Sequence, residues 1–408
     1  MSTAVLTNAS WFNSPELKAV VAALSVGGDM PRIVGGAVRD GLLGLPVADV
    51  DLATTRTPDE VISALETARI KAVPTGIDHG TITAVAGGKT FEITTLRRDV
   101  STDGRRATVV FSTDWQEDAA RRDFTINALY ADPYSGEVYD YFGGLEDLKA
   151  GKVRFIGDAN ARIAEDHLRI LRYFRFYARF GKSTPDAKAI AACELAAKSL
   201  MALSRERIAD ELIKLLTLPD PSDSVRLMVE HKIFAAFLPE ISDDATARLE
   251  RLSVREKCAE IEAKAGRRIS ALLPDNRAVV EHVAARLKLS NKMRVELCER
   301  VSELDPVSTS ATVLGYRYGV AMATDMFLLH GGETAWRQGI DALRNWSPPV
   351  FPIKGGEIVA RGLTAGPLVA KTLKAAEQQW IAEGFPDAAR ANVIADQCVA
   401  ETLSAKNE

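Results

Sequence analysis

At 408 residues, 47% of them hydrophobic and 26% charged, the chain is long enough for several domains and has the balance of a globular protein, which excludes wholesale disorder. A net charge of −4 argues against a protein that coats nucleic acid indiscriminately, although arginines cluster at Arg97–Arg98, Arg105–Arg106, Arg121–Arg122 and along 162–179, enough for a local basic surface. Cys193, Cys258, Cys298 and Cys398 stand far apart, and the five histidines show no metal spacing and no His-Asp dipeptide. Neither a zinc site, a disulfide framework nor a histidine-metal phosphohydrolase domain is expected.

The first residues, MSTAVLTNASWF, lack a basic stretch leading into an apolar one, and the apolar run Ala19–Val26 is too short to span a bilayer. A cytoplasmic protein with no membrane partner is the expectation. Short runs of β character follow at Arg32–Val34, Val50–Ala53, Thr81–Val85, Thr90–Leu96 and Val138–Tyr141. After Gly157 the pattern turns helical, with helices predicted at Ala159–Arg179, Asp186–Ala202, Arg205–Leu215, Ala278–Leu287 and Lys292–Leu304. Strands first and helices afterwards indicate an α+β head followed by an all-helical remainder. Proline-rich breaks at Pro219–Asp223 and Trp346–Pro352 divide that remainder, so domains are expected at 1–150, 151–218, 219–346 and 347–408.

The first chemical constellation is Ile33-Val34-Gly35-Gly36-Ala37-Val38-Arg39-Asp40. Glycines without Cβ let a backbone approach phosphate oxygens, and Arg39 adds charge-assisted hydrogen bonds; a tight strand-to-helix turn would use the same Gly-Gly pair. In Asp49-Val50-Asp51 the period of two sets both carboxylates on one strand face, where they repel unless a cation sits between them. Magnesium takes such hard oxygen ligands together with substrate phosphates, and two ions about 4 Å apart can activate an attacking hydroxyl and stabilise leaving pyrophosphate. A turn-capping Asp pair is the plainer alternative. Further on, Phe91, Ile93 and Thr95 alternate with Glu92, Thr94 and Leu96; if the sheet brings this run beside the Asp pair, Glu92 completes a three-carboxylate site. Asp99–Asp118, holding Thr102-Asp103-Gly104-Arg105-Arg106, has no strong periodicity and reads as a mobile loop.

On a continuous helix over 162–179, Arg162, Asp166 and Arg169 fall within roughly a 60° arc, with Ile163, Ile170, Leu171, Phe174 and Tyr177 as the apolar stripe. The plain reading is an amphipathic helix with an i,i+3 ion pair between Asp166 and Arg169. Ser204–Leu212 reads equally as a capped surface helix and is assigned no chemistry. Gly355–Pro367 leads into a Lys- and Ala-rich helix that either turns an αα corner or offers N–H groups to an RNA phosphate.

Taken in order, VGGAVRD, LLGLPVADVDLATTRTPDEV, IDHGTITAV, FEITTLRRDV, RRDFTINALYAD, YFGGLEDL and AEDHLRILRYFRF resemble the class II tRNA nucleotidyltransferases, densely over 32–180 and more loosely beyond. The resemblance implies a polymerase-β-like head with helical neck, body and tail, and template-independent addition of C, C and A to tRNA from CTP and ATP. It places the metal-binding carboxylates on Asp49 and Asp51 and the triphosphate contacts on Gly36 and Arg39, beside Gly35. Arg122 would lie against the nucleotide, with Asp123 and Asn127 near the sugar. Glu165-Asp166-His167-Leu168-Arg169 would be the base-selecting motif, and Arg172 and Arg175 further nucleotide contacts. A carboxylate only accepts and a guanidinium only donates, so Asp166 and Arg169 suit the amino-plus-acceptor edge shared by C and A, not that of U or G. The resemblance further implies a Mg2+ requirement, recognition of the tRNA acceptor and T arms, and a loop at 99–118 needed for the final A. No obligate protein partner is expected. Three alternatives stay open: an enzyme adding only A, a bacterial poly(A) polymerase, and a catalytically silent RNA-binding protein on the same fold. The acidity of the chain and the segment Thr75–Ile82 speak against the second; the retained carboxylates speak against the third.

Overall fold

The computed structural model describes residues 4–103, 106–301, 306 and 308–405. Its backbone contacts separate two compact units, one running to Ala247 and including Arg286–Leu289, the other made of Arg248–Ala285 and the chain from Ser290.

The first unit is built on a seven-stranded sheet of β1 (Arg32–Val34), β2 (Val50–Thr54), β3 (Lys71–Gly76), β4 (Thr81–Ala86), β5 (Lys89–Thr95), β8 (Leu129–Ala131) and β9 (Val138–Asp140). Their order across the sheet is β3-β4-β5-β2-β1-β8-β9. Ile33, Leu52, Ile82 and Ile93 are wholly buried on four adjacent strands, which locks the register by hydrophobic alternation. Neighbours pair antiparallel except β2 and β5, which run parallel. The sequence pattern located five of these strands. It missed β3 because Pro74 reads as a breaker; β3 lies at the sheet edge, where a missing N–H is tolerated. The three-residue β8 is too short to show a period.

The expected loop at 99–118 is corrected. β6 (Arg97–Asp103) and β7 (Arg106–Phe111) pair antiparallel as a separate hairpin, and the helix Trp115–Ala120 follows. Gly104 and Arg105, at the centre of the expected loop, lie outside the described residues.

Among the described residues every element after Asp140 is helical. The single helix expected over 159–179 is two, Ala159–Glu165 and Arg169–Phe180, with Asp166 extended between them at φ −152°, ψ 106°. The Asp166 carboxylate accepts the Leu168 N–H at 3.1 Å, the local bond with which aspartate competes against helix. The arc drawn for Arg162, Asp166 and Arg169 on one helix therefore does not exist. Asp186 caps Ala187–Ala196, and the rest of that predicted helix is a 3-10 segment, Ala197–Ala202. In the second unit one cluster gathers Leu314, Met326 and Leu328 around Trp336, and another Ile358, Ala376 and Ile394 around Trp380. Among the described residues no helix is long and apolar enough to cross a membrane.

One close approach in the first unit bears on the site. Gly144 opens the helix Gly144–Ala150 so near the 3-10 turn Thr125–Asn127 that a Cβ there would lie 2.3 Å from the Thr125 carbonyl oxygen. Gly144→Ala should therefore lower stability by about 1–3 kcal/mol and shift the turn that carries Asn127. Thermal melting checks this; an unchanged midpoint would show that the two segments separate freely.

Candidate active site

The parallel pairing of β2 with β5 sets Asp51 directly opposite Glu92 and, through β1, opposite Val34, the residue before the Gly-Gly turn. Asp51 is half-buried; Asp49, just before the strand, and Glu92 are exposed. Burial first, then the charge of Glu92, pushes the Asp51 carboxyl up to about 6; Arg122 opposes the rise and Asp49 adds to it. Asp49 and Asp51 are thus oxygen donors of the type magnesium takes, at a place where a negative charge is costly without a cation. Among the described residues no group of three His, Cys, Asp or Glu side chains is arranged as metal ligands; Glu92, expected as the third carboxylate, stands directly across from Asp51 in the register and adds its negative charge there.

Two guanidinium edges face the turn. Gly35 has φ +70°, a conformation that favours glycine, and its N–H donates to the Leu129 carbonyl at 2.9 Å. A Cβ on Gly35 would meet Arg122 Nη1 at 3.5 Å, and one on Gly36 would meet Arg39 Nη2 at 3.6 Å. Arg39 is buried, its Nε donating to Asp40 at 2.8 Å and its Nη1 to Asn127. Burial pulls its pKa down.

From Asn127 an ionic chain runs into the helical region of the same unit. Asn127 donates to Asp123 at 2.9 Å, Arg172 Nε donates to the same carboxylate at 2.8 Å, and Arg175 Nε donates to buried Glu211 at 2.6 Å. Burial works to raise the Asp123 carboxyl, but Arg172 and the Asn127 and Phe124 N–H groups outweigh it and hold it below the usual carboxylate range. Asp40 also takes Arg179 at 2.9 Å. Arg172 Nη1 also lies 3.8 Å from Glu211, so Arg39, Asp123, Asn127, Arg172 and Arg175 form one contiguous network.

Asp166 and Arg169 do not form the i,i+3 pair. Arg169 pairs with Glu165 at 2.5 Å and donates to the carbonyls of Arg162 and Arg121 at 2.9 and 3.2 Å. Asp166 pairs with Arg207 at 2.6 Å. The interruption at Asp166 turns its carboxylate off the helix that carries Arg169, and another helix, Arg205–Leu216, supplies its partner. Sequence reading missed Arg207 and Glu211, both inside Ser204–Leu212, where the signal was the charge pattern of a helix given no role. It also missed Asp118 and Tyr130, whose buried carboxylate and hydroxyl meet at 2.7 Å.

The chain matches two described domain families: the Poly A polymerase head domain over residues 31–154, and the "Probable RNA and SrmB- binding site of polymerase A" over residues 184–244. It is 38% identical to the mitochondrial CCA tRNA nucleotidyltransferase 1 of Mus musculus over 369 residues, covering 87% of this chain and 83% of that protein. It is 31% identical to the CCA-adding enzyme of Latilactobacillus sakei over 390 residues, covering 91% of this chain and 95% of that one. Among solved structures, the Bacillus stearothermophilus CCA-adding enzyme in complex with CTP superposes with a TM-score of 0.74 at 28% identity, over 91% of this chain and 94% of that one.

Proposed function

The chain belongs to the CCA tRNA nucleotidyltransferases, and from that premise we propose that it adds C, C and A to the 3′ end of tRNA from CTP and ATP, without a nucleic-acid template, releasing pyrophosphate. The observation that carries this reading is the meeting of the Asp49–Asp51 carboxylates with a glycine turn faced by two guanidinium edges, Arg39 and Arg122. Negative charge repels itself on one side of the turn and positive charge waits on the other, an arrangement suited to a metal-bound triphosphate.

Asp49 and Asp51 would hold Mg2+, which when bound activates the attacking 3′ hydroxyl and stabilises the departing pyrophosphate. Gly35 and Gly36 leave room for phosphate oxygens, and Arg39 and Arg122 donate to them. Asp123 and Asn127, fixed by Arg172 and Arg39, orient the sugar. Asp166 accepts from the exocyclic amino group of C or A while Arg169 donates to the ring nitrogen; neither is neutralised by the other, since each is held by a different residue, Arg207 and Glu165. Arg175 keeps the neck helix seated through Glu211. In this reading residues 1–150 carry the chemistry, 151–218 select the base, 219–346 form the body and 347–408 grip tRNA. The cytoplasm, where tRNA and both nucleotides meet, is the proposed place of work.

Incubation with tRNA lacking its terminal CCA, with labelled CTP and ATP singly and together, tests the assignment. Addition that stops after C, C and A is expected. An unbounded A tail would identify a poly(A) polymerase, and A added only to tRNA already ending in CC would identify an A-adding enzyme. Binding of the same tRNA should weaken steeply with salt despite the acidic total charge, since shape recognition of the acceptor and T arms works through phosphate contacts. A binding constant flat across a tenfold rise in salt would remove the electrostatic grip from the proposal.

A further inference from the structure

The buried cluster that fixes Arg122 has no role in the reading so far. The Asp118 carboxylate, on the helix Trp115–Ala120, has a side chain only 1% exposed, yet it carries a charge and four donors converge on it. Oδ1 accepts Arg121 Nε at 2.7 Å and the Arg97 backbone N–H, at the start of β6, at 3.4 Å. Oδ2 accepts the Tyr130 hydroxyl at 2.7 Å and Arg122 Nη2 at 3.3 Å. Tyr130, at the centre of β8, closes a triangle, because its hydroxyl oxygen also accepts Arg122 Nε at 3.2 Å. Arg122 is thereby held along its Nε–Nη2 edge, and the Nη1 end is the part directed at Gly35. A guanidinium is planar, so fixing one edge fixes the direction of the rest. Burial alone would lift the Asp118 carboxyl, but Arg122, Arg121 and the Tyr130 hydrogen bond hold it below the usual range and so keep it ionised.

We infer that Asp118, with Tyr130, is a positioning residue for nucleotide addition: it aims the free end of Arg122 at the triphosphate of the incoming nucleotide. The inference rests on the proposed nucleotide-site role of Arg122 and adds the groups that make that role possible.

The test uses the full chain, tRNA lacking its 3′ end, CTP as substrate and inorganic tripolyphosphate as a competing ligand that carries no base. Asp118→Asn keeps the shape and removes the charge that holds Arg122. It should raise the KM for CTP about tenfold, the scale of one charge-assisted hydrogen bond, and weaken tripolyphosphate inhibition by the same factor, with kcat changed less than about threefold. Tyr130→Phe, which keeps the buried ring, should shift both constants in the same direction by about threefold, and it serves as the probe if Asp118→Asn does not fold. In an Arg122→Ala background, Asp118→Asn should add no further loss. Unchanged CTP and tripolyphosphate constants in both Asp118→Asn and Tyr130→Phe, or losses that multiply in the double variant, would overturn the inference. If Arg122→Ala itself leaves both constants unchanged, the nucleotide-site role of Arg122 fails, and the positioning role fails with it.

Discussion

Alanine at Asp49 or Asp51 should abolish nucleotide incorporation, by about a thousandfold or more, while the protein stays folded. A bound metal contributes several kcal/mol of charge stabilisation to the transition state, and each 1.36 kcal/mol lost is about tenfold in rate. Stability should move the other way. Burial and Glu92 push the Asp51 carboxyl up to about 6, so near neutral pH its charged form costs folding energy in the metal-free protein. Asp51→Asn, which removes the charge and keeps the size, should melt at or above the parent temperature without magnesium and below or level with it once magnesium is added. Turnover and melting measured side by side decide the matter. Near-normal turnover in magnesium would discard the metal assignment, and a sharply lowered metal-free melt would show the carboxylate to be a structural support.

The second large effect is one of kind more than size. Asp166→Ala removes a partly buried ion pair with Arg207 and the hydrogen bond from the Leu168 N–H, which together should cost about 1–2 kcal/mol of stability. If Asp166 reads the base, discrimination against UTP and GTP should collapse, because those bases are rejected for leaving its carboxylate and Arg169 unpaired, a penalty of about 1–3 kcal/mol per lost partner. The relative kcat/KM for UTP should rise by about tenfold or more while that for CTP falls. Arg207→Ala gives the control: Asp166 stays but loses its tether, so CTP use should fall with part of the discrimination kept. Equal proportional loss of CTP and UTP use in Asp166→Ala would mean the carboxylate holds the fold or the nucleotide and does not select.

The fold class was legible in the helical pattern after Gly157, and the residues of the proposed site could be picked out by type and spacing: Asp49-Val50-Asp51 for the repulsion of its carboxylates, Gly35-Gly36 followed by Arg39 for backbone room beside a cation. What the residues alone hid depends on contacts between distant segments. That Glu92 faces Asp51 follows from a parallel pairing across forty residues of sequence, which no periodicity in either strand announces. Leu96 illustrates the same limit from the other side: alternation put it with Glu92 on one face, yet it is fully buried just beyond the strand end. Arg207 looked like one more charge on a surface helix, and only folding shows that it is the partner of Asp166. The helix break itself was concealed by good propensity on both sides; a side chain competing for the Leu168 N–H decided it.

That break separates two kinds of information in the chain. Arg172, Arg175 and Arg179 share one rigid helical phase, so a single residue inserted ahead of them within Arg169–Phe180 would rotate all three by about 100° and tear them from Asp123, Glu211 and Asp40 together. Asp166 lies upstream of that phase, anchored sideways by a residue forty-one positions away. Its carboxylate is aimed by Arg207 and not by the winding of the helix that follows, so on the proposed base-reading role such an insertion would displace the three arginines without turning Asp166.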